Sequence, residues 1–509
     1  MKRDGATRSI WQDGISEYQS SNAWNKSEVY DVLIVGGGIT GLTTALLLQS
    51  HGKKCILAEA HNIGFGTTGG TTAHLNTILD NSYDFIESDF GKEGAKMVAS
   101  ATREAIDLVE GLSTQYGIDC DFHYEPGYLY ATDAKEEEHL EKIYEATVRA
   151  GVVTDWVSRI PIPVSFTKAC RFEFQARIHS GNYLSGLAAA FEKEGGVLLR
   201  QCVVNSVEKQ QHFLAETSLG QIRAEKIVYA THIPPGINIL HFRCAPYRSY
   251  AQAFTLKSGD YPQGLTYDLK DPYNYYRIQN INGQDYIIAG GFDHKTGHEQ
   301  NTEEIFKKQE SFLQGIFDID RIDYRWSSQY FTSADGLPYI GLLPGHDNIY
   351  VGTGYSGNGI TLGSLAAKII CDLIHNGSNK YENLFKPSRI KPIAGFTEFV
   401  KENLDVVSQF IGKRFSYEKI ASLAQLAPGE ATLADWEGQK LALYKDEQGQ
   451  VHALDPVCPH AKCVVDWNSV EKSWDCPCHG SRFACNGALL TGPATKGLVQ
   501  IKWEDIEGD

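Results

Sequence analysis

The chain has 509 residues, of which 42% are hydrophobic and 22% charged, an ordinary globular composition spread over too many residues for a single core. Lys and Arg number 47 against 63 Asp and Glu, and the net charge of −16 argues against a nucleic-acid or anionic-membrane binder. No apolar run is long enough to span a bilayer and residues 1–11 carry no apolar core, so neither a membrane helix nor a signal peptide is expected, and a cytoplasmic location is.

Residues 1–30 are polar and read as a poorly ordered or draped N-terminal tail. Residues 31–35 are an apolar run fit for a buried parallel strand. They lead into Gly36-Gly-Gly-Ile-Thr-Gly41, a helix over 42–50 stopped by Gly52, and a second strand over 54–59, which together form a βαβ unit. Amphipathic helices are predicted over 93–117 and 134–151, with Gly117 and Gly151 as stops, and a further helix over 182–195. Strands are predicted over 196–209 and 222–230. From 247 to 330 the chain is aromatic and strand-like, with turn signals at Asp271-Pro272, Asn282-Gly283 and Gly290-Gly291. A strand over 348–352 and a helix over 361–375 follow. Residues 386–414 read as a linker, and 415–509 as a small all-β module.

Cysteine usage divides the chain in the same place. Cys55, Cys120, Cys170, Cys202, Cys244 and Cys371 are scattered and read as reduced thiols. The remaining five of the 11 crowd between 458 and 485, which points to a metal before a disulfide scaffold.

Gly36-x-Gly38-x-x-Gly41 alone is a weak motif, but here it follows a strand, opens a helix, and is answered by Glu59 at the end of the next strand. Glycines at these positions permit the tight turn and let the backbone approach a pyrophosphate. The helix N-terminus supplies N–H donors, and Glu59 suits ribose hydroxyls. This unit does not by itself choose between FAD and NAD. Gly352-x-Gly354-x-x-Gly357 fits the same spacing, but no second strand ending in an acid follows, so it is not read as a second nucleotide site.

Residues 31–385, with Gly64-Phe-Gly-Thr-Thr-Gly-Gly-Thr-Thr-Ala-His74 and the glycine-rich stretch near 350, resemble the D-amino-acid-oxidase-like flavoproteins, among them sarcosine, dimethylglycine and glycine oxidases. The resemblance implies a Rossmann-like α/β FAD-binding domain, built from segments about 31–90, 178–240 and 335–385. An antiparallel-sheet substrate domain, about 91–177 and 241–334, would be interleaved with it. It implies that Gly354, Gly357, Asn358, Gly359, Ile360 and Thr361 set a helix N-terminus beside the flavin, where a positive helix end favours the anionic reduced ring. Thr71, Thr72 and His74 would lie near the flavin. The stretch before His74 is similar to one in dimethylglycine-dehydrogenase-like flavoproteins whose histidine is bonded to the flavin, with Ala73 where that stretch has tryptophan.

In the C-terminal module, Cys458-Pro-His460 and Cys476-Pro-Cys-His479 resemble the ligand pattern of a Rieske [2Fe–2S] centre, with two thiolates on one iron and two imidazoles on the other. A zinc ribbon prefers paired Cys-x-x-Cys knuckles, which neither loop offers, and a disulfide knot is the other reading. The resemblance to the high-potential Rieske branch implies a disulfide between Cys463 and Cys478, a covering loop at Gly492-Pro493-Ala494, and a Ser481 bond to the cluster. Phe483 stands where that branch has a tyrosine, which implies a lower potential.

Together the two parts resemble FAD-dependent oxidoreductases with a C-terminal Rieske domain. The expected activity is oxidation of an amine, N-methyl amine or amino acid by hydride transfer to FAD. Electrons would then pass singly through the cluster to an external acceptor or redox partner protein. An electron-transfer protein serving another enzyme, or a redox sensor, is the alternative. Tyrosines around 247–250 and 273–276 offer aromatic walls. Arg248 and Arg277 are candidates to hold a substrate carboxylate, and His294 a candidate base.

Overall fold

The computed structural model describes residues 2–13, 16–299, 301–389, 417–419, 426–436 and 438–502. Of the linker expected at 386–414, residues 390–414 lie outside the described residues.

The apolar run at 31–35 becomes strand Val29–Val35 at the centre of an eight-stranded sheet. Its parallel neighbours are Cys55–Ala58 and Gly220–Tyr229. Val32 and Ile34 enter one core and Leu33 and Val35 the other, so a continuous apolar run is needed to fill both faces. Helix α1 (Ile39–Ser50) covers the first of these faces. Strands Val197–Leu199 and Ile349–Thr353 extend the sheet in parallel, and Tyr339–Leu342 closes it antiparallel. The predicted strand over 196–209 is in fact two, Val197–Leu199 and Val204–Lys209. The second pairs with Phe213–Thr217 in a hairpin that the sequence pattern did not reveal.

Helices α2 (Tyr83–Tyr116) and α3 (Ala134–Ala150) end on left-handed Gly117 and Gly151, the predicted stops. The α2 helix begins before the predicted 93 because it runs through a break at Gly91, whose φ of 75° leaves helical space. Helices α4 (Ser180–Lys193), α5 (Thr302–Gln314) and α6 (Gly359–His375) follow in chain order.

A second, nine-stranded sheet is mainly antiparallel, with Cys244–Leu256 between Ile319–Ser333 and Gln284–Lys295. Asn282-Gly283 makes the predicted tight turn, both residues having positive φ. Gly290-Gly291 is not a turn. It lies inside Gln284–Lys295, where a Cβ on Gly290 would sit 2.1 Å from the Tyr275 ring, and Gly291 sits where the pairing with Arg248 and Tyr250 slips. Strand His74–Leu75 also joins this sheet, His74 pairing with Arg177, so segment 31–90 crosses from one sheet to the other.

The C-terminal module holds two four-stranded sheets, the second made of Asp466–Asn468, Ser473–Asp475, Arg482–Ala484 and Leu489–Thr491. It is docked, and the N-terminal segment helps dock it. Far from being loose, Ile10 and Trp11 are fully buried, Trp11 donates to the Thr71 carbonyl at 2.5 Å, and Ser9 donates to the Gly69 carbonyl at 2.7 Å. Arg3 donates to the Ser327 carbonyl at 2.9 Å and lies 3.5 Å from Glu471. Asp4 accepts from Arg482 at 2.6 Å. Arg482 and Arg248 both reach Asp475, at 3.1 and 3.2 Å. The Ser327 hydroxyl donates to Glu471 at 2.6 Å and accepts from Arg248 at 2.9 Å. The segment reads as a tail because most of its anchors are polar, and their partners lie from 60 to several hundred residues away.

Burial alone would raise the Glu471 carboxyl, but Arg3, Arg248 and Arg482 hold it down to about 2, and Asp475 is lowered by Arg482 and Arg248 against the same burial. A depressed folded value means stability that is present in full above the unfolded carboxylate range, about 4, and is lost as pH falls toward 2. The docked module is therefore expected to loosen on acidification through that window, seen as faster proteolysis of residues 2–13. Arg482→Ala leaves Asp4 and Asp475 short of their partner in the interior and is expected to cost about 3–5 kcal/mol, read as a lowered Tm at neutral pH.

Candidate functional site

A cavity of about 630 Å³ is walled by both large sheets and by Leu489–Thr491, Gly492, Ala494 and Thr495 of the C-terminal module. At one wall lies the glycine-rich turn. Gly36 has φ +110°, with the Ala230 carbonyl 2.5 Å from where a Cβ would stand. A Cβ on Gly41 would fall 1.9 Å from the Gly36 carbonyl, so this third glycine serves helix–strand packing and does not itself line the cavity. Gly38 stands at the N-cap of α1 and lines the cavity; the Ile39 N–H donates to Thr68 Oγ1 at 3.2 Å, and the positive end of the helix faces the cavity, where it suits an anionic group. Glu59 accepts from the Gly37 N–H at 2.7 Å and the His61 N–H at 2.8 Å, and burial raises its carboxyl against those two bonds.

A second helix N-terminus meets the same cavity. Gly357, Asn358, Gly359 and Ile360 line it where α6 begins, with no side-chain cap. Gly354 (φ +75°) and Thr361 stand behind them. Gly354 makes the turn against Ser333, and the Thr361 hydroxyl accepts from the Asn76 N–H at 2.9 Å. Thr71, Thr72 and His74 line the cavity. His74 Nδ1 is 2.6 Å from the Tyr267 hydroxyl, its Nε2 has no partner, and burial, then Arg277, holds its imidazole well below the usual value. Two helix N-termini, a ribose-type carboxylate and a long cavity fit a dinucleotide that carries a flavin.

The three predicted catalytic side chains are elsewhere. Alternation along the strands explains two of them: Ser249 and Asp293 line the cavity, so their neighbours Arg248 and His294 face the other side of the sheet. There Arg248 is spent on Asp475 and Ser327, and His294 Nε2 lies 2.9 Å from the Tyr250 hydroxyl while Nδ1 bonds the Lys295 carbonyl. Arg277 is buried and donates to the Ala73 carbonyl at 2.7 Å and the Ile178 carbonyl at 3.2 Å. It holds the turn in front of His74 and does not reach the cavity. Of the predicted aromatic walls, Tyr273 and Tyr275 line the cavity, joined by Tyr267, Tyr330 and Asp293, which the sequence reading had not assigned to the site.

The cysteine-rich loops meet about 458–463 and 476–481. Cys463 and Cys478 form a disulfide that ties the loops together. The sulfurs of Cys463, Cys476 and Cys478 lie within 4.8 Å of one another, but two of them are spent in the disulfide, so the thiols free to bind iron here are Cys458 and Cys476. A hydrogen bond with Cys476, then the His460 N–H and the Ser481 hydroxyl, pulls the Cys458 thiol down against burial. His460 Nε2 is 3.0 Å from the Gly236 carbonyl. Only an N–H can face a carbonyl, so Nδ1 is bare, and it is buried without a partner. Both ring nitrogens of buried His479 lack partners as well. The His460 and His479 rings are 5.0 Å apart. Two free thiols and two imidazoles with bare, buried nitrogens fit the four-ligand set of a [2Fe–2S] cluster.

Around this site, the Ala494 N–H donates to Ser481 Oγ at 3.0 Å and the Gly236 N–H to the Pro493 carbonyl at 3.3 Å, so the 492–494 loop covers the cluster loops as expected. His241, outside every motif, lies 4.6 Å ring to ring from His460 and 5.9 Å from His479.

Comparison with known proteins agrees with this geometry. The FAD dependent oxidoreductase family (DAO) matches residues 31–373, and the Rieske [2Fe-2S] domain matches residues 416–502. The Rieske 2Fe-2S iron-sulfur protein YhfW of Bacillus subtilis (strain 168) is 31% identical over 500 residues, covering 97% of this chain and 98% of its own length. Gamma-glutamylputrescine oxidoreductase of Escherichia coli (strain K12) is 28% identical over 74% of this chain and 91% of its own. The crystal structure of glycine oxidase from Geobacillus kaustophilus superposes with a TM-score of 0.59 at 18% identity, over 71% of this chain and 99% of its own, a likeness of fold. The chain belongs to the FAD-dependent oxidoreductase family of D-amino-acid-oxidase-like fold and carries a C-terminal Rieske [2Fe–2S] domain.

Proposed function

We propose that this chain is a dehydrogenase that oxidises an amine, N-methyl amine or amino acid and delivers the electrons singly to an external acceptor. When bound, FAD accepts a hydride from a C–H next to nitrogen, and the [2Fe–2S] cluster carries one electron at a time. The observation that carries the reading is the shared wall. Pro235 and Gly236 line the large cavity, and the Gly236 carbonyl holds the His460 imidazole. The gamma-glutamylputrescine oxidoreductase relative supports the choice of a nitrogen-bearing substrate.

The chain's own groups have three tasks. The α1 and α6 N-termini and Glu59 hold the dinucleotide. Tyr267, Tyr273, Tyr275 and Tyr330 bound the space left for substrate. His74, kept neutral by burial and by Arg277, bonds Tyr267 and stiffens the wall between them.

Anaerobic mixing with a panel of primary, N-methyl and α-carboxylated amines is expected to bleach the flavin band with at least one class, followed by a Rieske-type EPR signal. A flavin that no member reduces, but that a reduced partner protein does, would favour the electron-transfer alternative. His74→Ala is expected to lower flavin retention during gel filtration. Acid denaturation followed by filtration is expected to release the flavin from the wild-type chain. Colour retained on the protein and lost in His74→Ala would instead establish a covalent bond. The disulfide leads to a third expectation: alkylation of the denatured holo-protein without reductant leaves Cys463 and Cys478 unmodified, and the double Cys→Ser variant loses iron faster to a chelator.

A further inference from the structure

Among the described residues that line the large cavity there is no lysine and no arginine. Its titratable side chains other than tyrosine and cysteine are Asp4, Glu59, His61, His74, His232 and Asp293. Asp4 is paired with Arg482, and Glu59 is held by two backbone N–H groups. Burial drives all three histidines toward the neutral form, His232 to about 4. Asp293 remains. Its Oδ2 accepts from the Tyr330 hydroxyl at 2.8 Å, and its Oδ1 has no hydrogen-bond partner. Tyr273, Tyr275 and Tyr330 stand around it.

We propose that this part of the cavity is an ammonium site, which takes the substrate as a cationic amine bearing no carboxylate beside its nitrogen, with Asp293 as counter-ion and the tyrosine rings as the wall. This rests on the reading of the cavity as the place of substrate oxidation, and it narrows that reading to one of its substrate classes. A carboxylate needs a guanidinium, an ammonium or a free run of N–H donors. The arginines nearest in sequence are engaged outside the cavity, Arg248 with Asp475 and Arg277 with the Ala73 carbonyl. The N–H groups at the N-terminus of α6 are assigned to the dinucleotide, and the Gly357 N–H just before that helix is taken by Asp80 at 2.6 Å, which also accepts from the Tyr273 hydroxyl at 2.9 Å. An amino-acid carboxylate would therefore meet Asp293, with no lysine or arginine among the described lining residues to offset it. An ammonium ion meets a counter-ion and electron-rich rings.

The groups facing Asp293 are Ser249 from Cys244–Leu256, Tyr330 from Ile319–Ser333, Tyr273 and Tyr275 from the neighbouring strand and its lead-in, and Asp80 from the loop before α2. Burial pushes the Asp293 carboxyl up to about 7, against the Ser249 and Tyr330 hydroxyls, and Asp80 adds to the rise. The carboxylate form thus gains population as pH is raised through about 7, while a free alkylammonium keeps its proton well above that. The bound ammonium passes one N–H proton to the Asp293 carboxylate before the adjacent C–H gives up its hydride, so that the nitrogen lone pair is free to form the iminium product.

The test uses full-length protein loaded with both cofactors and a probe that cannot be oxidised at nitrogen, benzyltrimethylammonium, titrated anaerobically and read as a perturbation of the flavin absorbance band. The expected result is saturable binding that tightens as pH rises through about 7. Asp293→Asn is expected to weaken it at least tenfold at pH 8 and to remove the pH dependence, with flavin content unchanged. Tyr330→Phe, which removes a donor to the carboxylate, is expected to keep the pH dependence but move its midpoint upward. Benzoate is expected to bind more weakly than the cation. Benzoate binding more tightly, or Asp293→Asn and Tyr330→Phe both matching the wild type, overturns the ammonium site. Flavin reduction by N-methylglycine but by no simple alkylamine also overturns it and leaves the dehydrogenase reading standing. Probe binding as expected, with no amine or amino acid reducing the flavin, upholds the ammonium site and removes the dehydrogenase reading instead.

Discussion

Six buried charges set the arrangement of the whole molecule. Arg3, Arg248 and Arg482 face Asp4, Glu471 and Asp475, three of each sign, all in the protein interior. An isolated charge in such a place costs several kcal/mol, and even a well-made buried pair contributes little net stability. What such a network supplies is specificity. Its members come from the N-terminal segment, the second sheet and the C-terminal module, and each is satisfied only when all three are together. A Cβ on Gly5 would stand 1.9 Å from the Glu471 carboxylate, so the N-terminal backbone itself must run against that charge.

The docking fixes more than an interface. Asp4 belongs to the network and also walls the large cavity, as do Leu489–Thr491 from the far end of the module. The stretch between Ile233 and Phe242 then serves two sites at once. Ile233, Pro235 and Gly236 line the cavity, while Gly236 holds His460 and His241 packs on both cluster histidines. The histidine edge of the Rieske domain is thus turned toward the flavoprotein part of its own chain.

The parts of this arrangement legible in the sequence are those whose chemistry is local. Gly36 to Glu59 is a single strand–turn–helix–strand, and each cluster loop carries its ligands within four residues. Spacing alone is then enough. What the sequence concealed depends on distant partners. Arg248 and His294 read as catalytic because arginine and histidine on an aromatic strand suit a substrate. The neighbour of Arg248, Asp475, depends on which face of the sheet the C-terminal module covers, and His294 reaches Tyr250 on the adjoining strand. Gly290-Gly291 reads as a turn because glycine pairs are common there, yet the position is kept small by a tyrosine ring from the adjoining strand. Residues 2–13 read as a tail because buried polar anchors look the same as solvated ones until the partner is known.

Strand alternation ties these observations into one constraint. Along Cys244–Leu256 and Gln284–Lys295, Ser249 and Asp293 point to the cavity while Arg248 and His294 point to the docked module. A slip of one residue in either strand would exchange the two faces. It would bring a guanidinium to the cavity and leave Asp475 with one arginine in place of two. The slip in pairing at Gly291 adjusts the spacing of the two strands just where both faces carry charge. Register in this one strand pair therefore decides two things together: that the cavity shows a carboxylate with no lysine or arginine among its described lining residues, and that the cluster-bearing module has an arginine to dock on. The Arg248 guanidinium is kept out of the cavity because the strand turns it to the other side of the same sheet, where it holds Asp475.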